Sequence, residues 1–449
     1  MTLRLRIVAF VQPGTVSRRI FVDMLESCVA AGHEVHVLDL APVWNHLSEP
    51  APDRADRLAG FTRHVRTLLE QVRPDLTVAM WGNMLNLLMH RMGPDRAVRT
   101  IFDDLGIPHV CLWLDAPHWA QGGSVRHLID SSIYASPTLV HLVNNHATAT
   151  EMRDVLGFGR VESLPYGVMP RGRPAADPDF DVVVSLGYGD PAPSAIALEQ
   201  LERDDPDMLA IREHAAASVE RRLRHLLAAS PLGESPSGVA RLVESQLRHR
   251  ATPMLGRVLE SIPSLTFHRG LYVEATMLLR EIESHERAFT VSWLSRRCRV
   301  AVFGRHELDA WRMQAIDLGE VPYESMGDTY GRGRVALNVM RWQDDHGINL
   351  KTFEIAAAGV PCLMQRRAGV EHCFAAGVEI ELFDGPRDAA ALVDSLLRDD
   401  ARRQGLGACG QARTLGHHRW TTRIAQLASM LPEGGGAVTL SRANVPAAA

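Results

Sequence analysis

Short apolar runs alternate with stretches of helical periodicity along most of the chain, and this alternation constrains the fold more than any other feature. Residues 7–11 read as a strand, 16–31 as a helix closed by Gly32, and 34–40 as a second strand. A helix is expected within 54–72, a strand at 76–80 and a helix ending near Leu105 and Gly106. Strands at 109–114 and 139–143, a helix over 148–156 and a strand at 161–164 complete the series. Strands joined through helices have to run parallel, because each crossover carries the chain back to the edge where the last strand began. The expected class is therefore α/β, with a doubly wound sheet. Residues 169–179, rich in proline and charge, break the pattern as a linker does, which sets an N-terminal domain at 1–170.

A second alternation opens at 180–186 and feeds the loop Gly187-Tyr188-Gly189-Asp190-Pro191. Helical periodicity then dominates about 194–296, too long for one crossover, so this stretch reads as a helical insertion with its own packing. Strand patterns resume at 299–303, 334–339, 360–364 and 379–383, and helices at 386–398 and 407–431 follow. The expectation is a second Rossmann-like domain at 171–432 and a disordered Gly- and Ala-rich tail at 433–449. Two such domains enclose a cleft, and ligands bind beyond the carboxyl ends of the strands.

Composition removes several classes. The 449 residues are 46% hydrophobic with a formal net charge of −5, so no global basic field exists to bind nucleic acid. The six cysteines are scattered without a CxxC pair, which argues against a disulfide framework or a structural zinc site. Arg4 and Arg6 interrupt the first apolar run, and no apolar stretch reaches the length of a transmembrane segment, so a cytoplasmic location is expected. Peripheral membrane contact would fall to the arginine-rich stretches 212–224 and 241–250. Glu213, Glu220 and Glu244 interrupt them, which favours a solvated helix face.

Chemistry points to 334–364. Of the 48 lysine and arginine residues only Lys351 is lysine, and it lies in Asp345-His346-Gly347-Ile348-Asn349-Leu350-Lys351-Thr352-Phe353-Glu354. A compact ammonium and a planar guanidinium are not interchangeable at a shaped site. Asn338 and Arg341 stand at or past the end of a predicted strand and face the cleft. Asn349 is the expected N-cap of the next helix, its side chain satisfying an orphan N–H, and Gly359 before Pro361 closes that helix. Gly347 permits close backbone approach. A helix N-terminus with Lys351 in its first turn and Arg341 nearby suits a diphosphate, and Glu354 one turn on suits sugar or ribose hydroxyls. A solvated helix start with an ordinary i, i+3 Lys–Glu pair is the alternative.

Asn338-Val339-Met340-Arg341, followed by Gly347-Ile348-Asn349-Leu350-Lys351-Thr352-Phe353-Glu354-Ile355-Ala356-Ala357-Ala358-Gly359-Val360-Pro361, resembles the donor-binding core of GT-B glycosyltransferases. The likeness is to the family 4 type, in its CgeB-like (spore maturation protein) branch. Gly369-Val370-Glu371-His372-Cys373-Phe374, Gly377-Val378-Glu379-Ile380 and His417-His418-Arg419-Trp420-Thr421-Thr422-Arg423 resemble the branch's usual ending. The resemblance covers 299–431 and follows in order over the N-terminal half. It implies two Rossmann-like domains, a nucleoside-diphosphate sugar as co-substrate with no other cofactor, its diphosphate at this helix, and transfer without a metal. Donor-binding roles are implied for Asn338, Arg341, Asp345, Gly347, Asn349, Leu350, Lys351, Thr352 and Glu354, with Gly187 in the phosphate loop. Glu354 resembles the second glutamate of the E-x7-E pattern. The first is His346 here, with Asp345 adjacent.

Asp115 and His118, in Trp113-Leu114-Asp115-Ala116-Pro117-His118-Trp119, end a predicted strand of the first domain. Either is a candidate general base or acceptor-binding group, and His346 is a third catalytic candidate. Asn144-Asn145-His146 is an acceptor-side candidate, and Leu164-Pro165-Tyr166-Gly167-Val168 resembles the family's hinge. The rival readings are an enzyme that does not transfer, such as an epimerase, and a GT-B-like module that binds a nucleotide sugar or glycan without turnover.

Overall fold

The computed structural model describes residues 4–82, 84–85, 89–92, 98–117, 129, 131–187, 192–230, 236–248, 262, 265, 268–304, 306, 308–341, 344 and 346–430. The apolar runs of the first half become β1 (Arg6–Val11), β2 (Glu34–Asp39), β3 (Leu76–Met80), β6 (His109–Trp113), β7 (Leu139–Val143) and β8 (Arg160–Ser163), all parallel in the order β2-β1-β3-β6-β7-β8. β4 (Met89–Met92) and β5 (Val98–Thr100) form a separate antiparallel pair. Every residue of β3, β6 and β7 is buried, as expected for strands covered on both faces.

The second sheet contains β9 (Phe180–Leu186), β10 (Val300–Gly304), β11 (Ile316–Asp317), β12 (Gly333–Asn338), β13 (Cys362–Gln365) and β14 (Glu381–Phe383). Its order is β11-β10-β9-β12-β13-β14, again all parallel. The winding direction reverses between β9 and β12. That switch point opens a crevice at their carboxyl ends, where open α/β sheets bind ligands. β11, two exposed residues without an apolar pattern, has no signature in the sequence.

Two expectations change. The single helix expected at 407–431 is two, Asp400–His417 and Trp420–Met430. The break is held by His418, whose carbonyl accepts from Val168 N at 2.9 Å and whose ring meets the Cys373 carbonyl at 3.2 Å. The last helix thereby crosses back and buries Trp420, Ile424 and Leu427 against Ile7, Ala9, Phe21 and Met24 of the first domain. Gly167 lies beneath Trp420, and a Cβ there would sit 2.5 Å from the indole.

The helical insertion exists, but it does not pack only on itself. Val219, Leu223, Leu227, Tyr272 and Leu279 belong to one buried cluster with Phe10, Phe102 and Trp113 of the first domain. The Tyr272 hydroxyl donates to Glu151 at 2.6 Å, and Arg280 pairs with the same carboxylate at 3.5 Å. Helix His285–Leu294 instead packs under the second sheet, with Val291 and Leu294 against Val182 and Val302. Arg212 is buried near Glu283 and Glu286, and Arg222 pairs with Glu281, so these two arginines of the 212–224 stretch serve internal pairing. The tail at 433–449 lies outside the described residues.

Candidate functional site

The helix carrying Lys351 spans Leu350–Ala357, starts at the carboxyl end of the second sheet, and is followed by Gly359 at φ 76°. Asn349 occupies the N-cap position with extended backbone, but its side chain makes no capping bond. The expected capping role is corrected by its neighbour. Asn338, buried at the end of β12, donates its amide to Asn349 Oδ1 and to Thr352 Oγ1, both at 2.8 Å. These bonds fasten the first turn to the strand and direct Asn349 inward. Leu350, partly buried, packs against apolar clusters of both domains.

Lys351 reaches across the switch point, its Nζ donating to the Ser185 carbonyl of β9 at 3.1 Å. Arg287, buried on helix His285–Leu294, donates to the same oxygen at 3.0 Å. Gly187, two residues on, has open space where a Cβ would point. Two cations and a helix N-terminus therefore meet at the end of the first strand of this sheet, an arrangement that favours an anion. Glu354 is buried one turn along. Burial raises its carboxyl pKa, against the hydrogen bond from Tyr323 and the charges of Lys351 and Arg171. Its Oε1 is buried and has no hydrogen-bond partner among the described residues.

Arg341 turns toward the first domain. It donates to Asp115 at 3.0 Å and lies 3.7 Å from Asp344. Burial raises the Asp115 pKa, with the Arg341 charge opposing it. For Arg341 burial acts to lower the pKa, but Asp344 and Asp115 outweigh it and the net shift is upward. This pair is a clasp between domains. Beside it Asn144 Nδ2 meets the Ile348 carbonyl at 3.4 Å, and Gly347, at φ 72°, faces Asn145 so closely that a Cβ would lie 2.8 Å from the asparagine Cβ. Gly347 N donates to the Ala368 carbonyl at 2.8 Å, which fixes the loop before the helix.

On the far side of this contact lies a cavity of about 840 Å³ between the ends of β7, β8 and β13. His346, Gly347, Asn144, Asn145 and Ser163 are among its walls. His118 and Asp345 lie outside the described residues. Asn338, Asn349, Lys351, Thr352 and Glu354 come together as the motif spacing implies, and Arg341 with Asp115 forms a second group. Sequence reasoning missed Arg287, Tyr323 and Gln365. Gln365 Oε1 accepts from Met340 N at 3.1 Å and its amide donates to Glu286 at 2.8 Å, which links the end of β12 to the insertion. Arg287 lies too far along the chain from the motif for spacing to indicate it.

Two parallel six-stranded sheets, a crevice between their carboxyl ends and a last helix returning to the first domain define the GT-B fold. Residues 280–429 match the family model described as glycosyl transferase-like. Among solved structures the chain is similar to sucrose-phosphate synthase from Thermosynechococcus elongatus, with 11% identity, a TM-score of 0.52 and coverage of 95% of this chain and 98% of that one. It is also similar to Anabaena HepE in complex with UDP and glucose, at 11% identity, TM-score 0.47, and 95% and 99% coverage. A DNA-modifying β-glucosyltransferase aligns at 8% identity, TM-score 0.45, and 94% and 98% coverage. A search of curated proteins returns no match. Among the described residues no helix is long and apolar enough to cross a membrane.

Proposed function

We propose that the chain is a glycosyltransferase that moves a sugar from a nucleoside-diphosphate sugar to an acceptor hydroxyl. The observation that carries this reading is the meeting of Lys351 and Arg287 at Ser185, where β9 ends beside the Leu350–Ala357 helix. Charge develops on the departing diphosphate, and fixed cations with oriented N–H groups stabilise it most when water is excluded. In this reading Lys351, Arg287 and the helix N-terminus do the work of a divalent metal. Glu354 is the carboxylate assigned to a ribose hydroxyl, and Asn338 holds the helix start in place through Asn349 and Thr352.

His346 lies where the donor helix approaches the neighbouring cavity, so it is the group we assign beside the reacting bond. Asp115 is committed to Arg341, and its role is to hold the domains together. The motif from Asn338 to Pro361 supports placement in the CgeB-like branch. A second reading, a binder without turnover, draws on His346 standing where the family pattern has glutamate.

Isothermal titration of UDP, GDP, dTDP and CMP sugars, followed by assay of released nucleoside phosphate, separates the two. A transferase releases nucleotide in the presence of acceptor, whereas a binder only saturates. Loss of a charge-assisted hydrogen bond costs about 1.5–3 kcal/mol, so Arg287→Ala and Lys351→Ala should each weaken nucleotide binding roughly 10- to 100-fold. Wild-type affinity in a normally folded Arg287→Ala protein would refute the donor site.

A further inference from the structure

We propose that the cavity beside His346 is the acceptor site and that it takes an uncharged, hydroxyl-rich ligand of the glycoside class, an assignment that rests on the transferase reading above. The cavity is separate from the donor groups. Its walls come from the end of β8 and the segments after β7, β8 and β13 together with His346, Gly347, Ile348 and Phe353 at the back of the donor helix, and neither Lys351, Arg287, Glu354 nor Asn338 is among them. Between the two spaces stand the Asn144–Ile348 hydrogen bond and the close contact of Gly347 with Asn145. His346 sits on the cavity wall at the start of the loop that leads into the donor helix, so a hydroxyl held there lies on the side from which a donor sugar would be approached.

The wall chemistry selects the ligand. Thr150 and Ser163 present hydroxyls, and the Asn144 and Asn145 amides, which bond to each other, to the Ile348 carbonyl and to Thr148 N, each keep a second N–H for a sugar hydroxyl. Ile348 and Pro165 supply apolar surface suited to the C–H faces of a ring. No lysine or arginine is among the described wall residues, although the chain carries 48 of them, and Glu371 at the rim is acidic. Among the described wall residues only the histidines His146, His346 and His372 could carry positive charge, so a phosphate or carboxylate would find no permanently charged partner there. The volume of about 840 Å³ falls within the roughly 300–1,000 Å³ common for small-molecule sites.

The test is binding by saturation-transfer NMR and calorimetry at pH 8, above the ordinary histidine range of about 6.5, with saturating UDP or GDP, whichever binds. The uncharged probes are methyl glucoside, methyl mannoside, methyl galactoside and maltose, and the anionic probes are glucose 6-phosphate and glucuronate. Two variants fill the cavity, Thr150→Trp and Ser163→Phe, each checked for a normal melting curve. The expected result is saturable binding of an uncharged probe by the wild type, reduced at least tenfold in a folded variant whose nucleotide affinity stays within twofold. The proposal is overturned by no uncharged probe binding, by tighter binding of the anionic probes, or by folded variants that bind the uncharged probes as the wild type does. It is equally overturned if a variant loses UDP-glucose affinity but keeps that for UDP, since the cavity would then hold the donor sugar. Failure of every nucleoside diphosphate to bind the wild type overturns the transferase reading and the acceptor role with it, and is recognised because the probe arm is measured separately.

Discussion

Replacing Gly347 with alanine tests the contact that joins the two domains next to the proposed donor helix. The backbone there has φ 72°, and a left-handed conformation costs an L-residue roughly 1–2 kcal/mol. The new Cβ would also stand 2.8 Å from Asn145 Cβ, far inside contact distance, and relieving such overpacking costs about 1–3 kcal/mol. Gly377 is the internal control. It has φ 79° with nothing within 4 Å of an added Cβ, so Gly377→Ala pays the backbone term alone. Urea unfolding should therefore find Gly347→Ala less stable than Gly377→Ala by about 1–3 kcal/mol. Nucleotide affinity should fall about tenfold only in Gly347→Ala, because the clash pushes on the loop that begins the donor helix. In an Asn145→Gly background the excess should disappear, while the lost N-cap costs only a few tenths of a kcal/mol. Equal costs for the two alanine substitutions, or an excess that survives Asn145→Gly, would refute the steric argument.

Two further outcomes are expected. Asp23 is fully buried, 2.7 Å from Arg171 Nη2 and 3.1 Å from Arg19 Nε, so Asp23→Ala should destabilise the protein by about 3–5 kcal/mol in urea melts. Adding Arg171→Met should recover much of that loss, and no recovery would mean that the charge pair is not the cause. His109 and His141 are buried in the first sheet, and burial lowers both pKa values to about 3. Their neutral forms fold, whereas the unfolded chain takes up protons below about 6.5, so stability is present above that pH and is lost as pH falls toward 3. At pH 5 each histidine should cost about 2 kcal/mol relative to pH 7.5. A flat stability profile between those pH values would argue against neutral buried imidazoles.

The parallel sheets were legible because their strands are buried on both faces and so appear as unbroken apolar runs, as in β3 and β6. β11 was not legible, since an exposed edge of two residues needs no apolar pattern. The break at His418 was invisible for another reason: it is made by contacts with Val168 and Cys373, and local helix propensity carries no record of them. At the candidate site, residues one helical turn apart, Lys351 and Glu354, could be read from spacing. Arg341 also lies in the motif, but its partner Asp115 comes from the other domain, so its clasp with that domain could not be read. Arg287 reaches Ser185 only because the insertion returns to the second sheet, a route that no linear pattern encodes.

The first sheet is covered on one face by the insertion and on the other by the last helix, through Val219, Leu223 and Tyr272 on one side and Trp420, Ile424 and Leu427 on the other. During synthesis the ribosome therefore releases a first domain whose two faces are only partly covered by its own helices; the insertion completes one soon afterwards, and the other waits for the last helix, more than two hundred residues on. The second sheet waits as well, because β9 is made before the insertion and β10 after it. Neither half is a finished folding unit, so the two should assemble and melt as one. Cutting the chain at the linker would give fragments that stick together or aggregate.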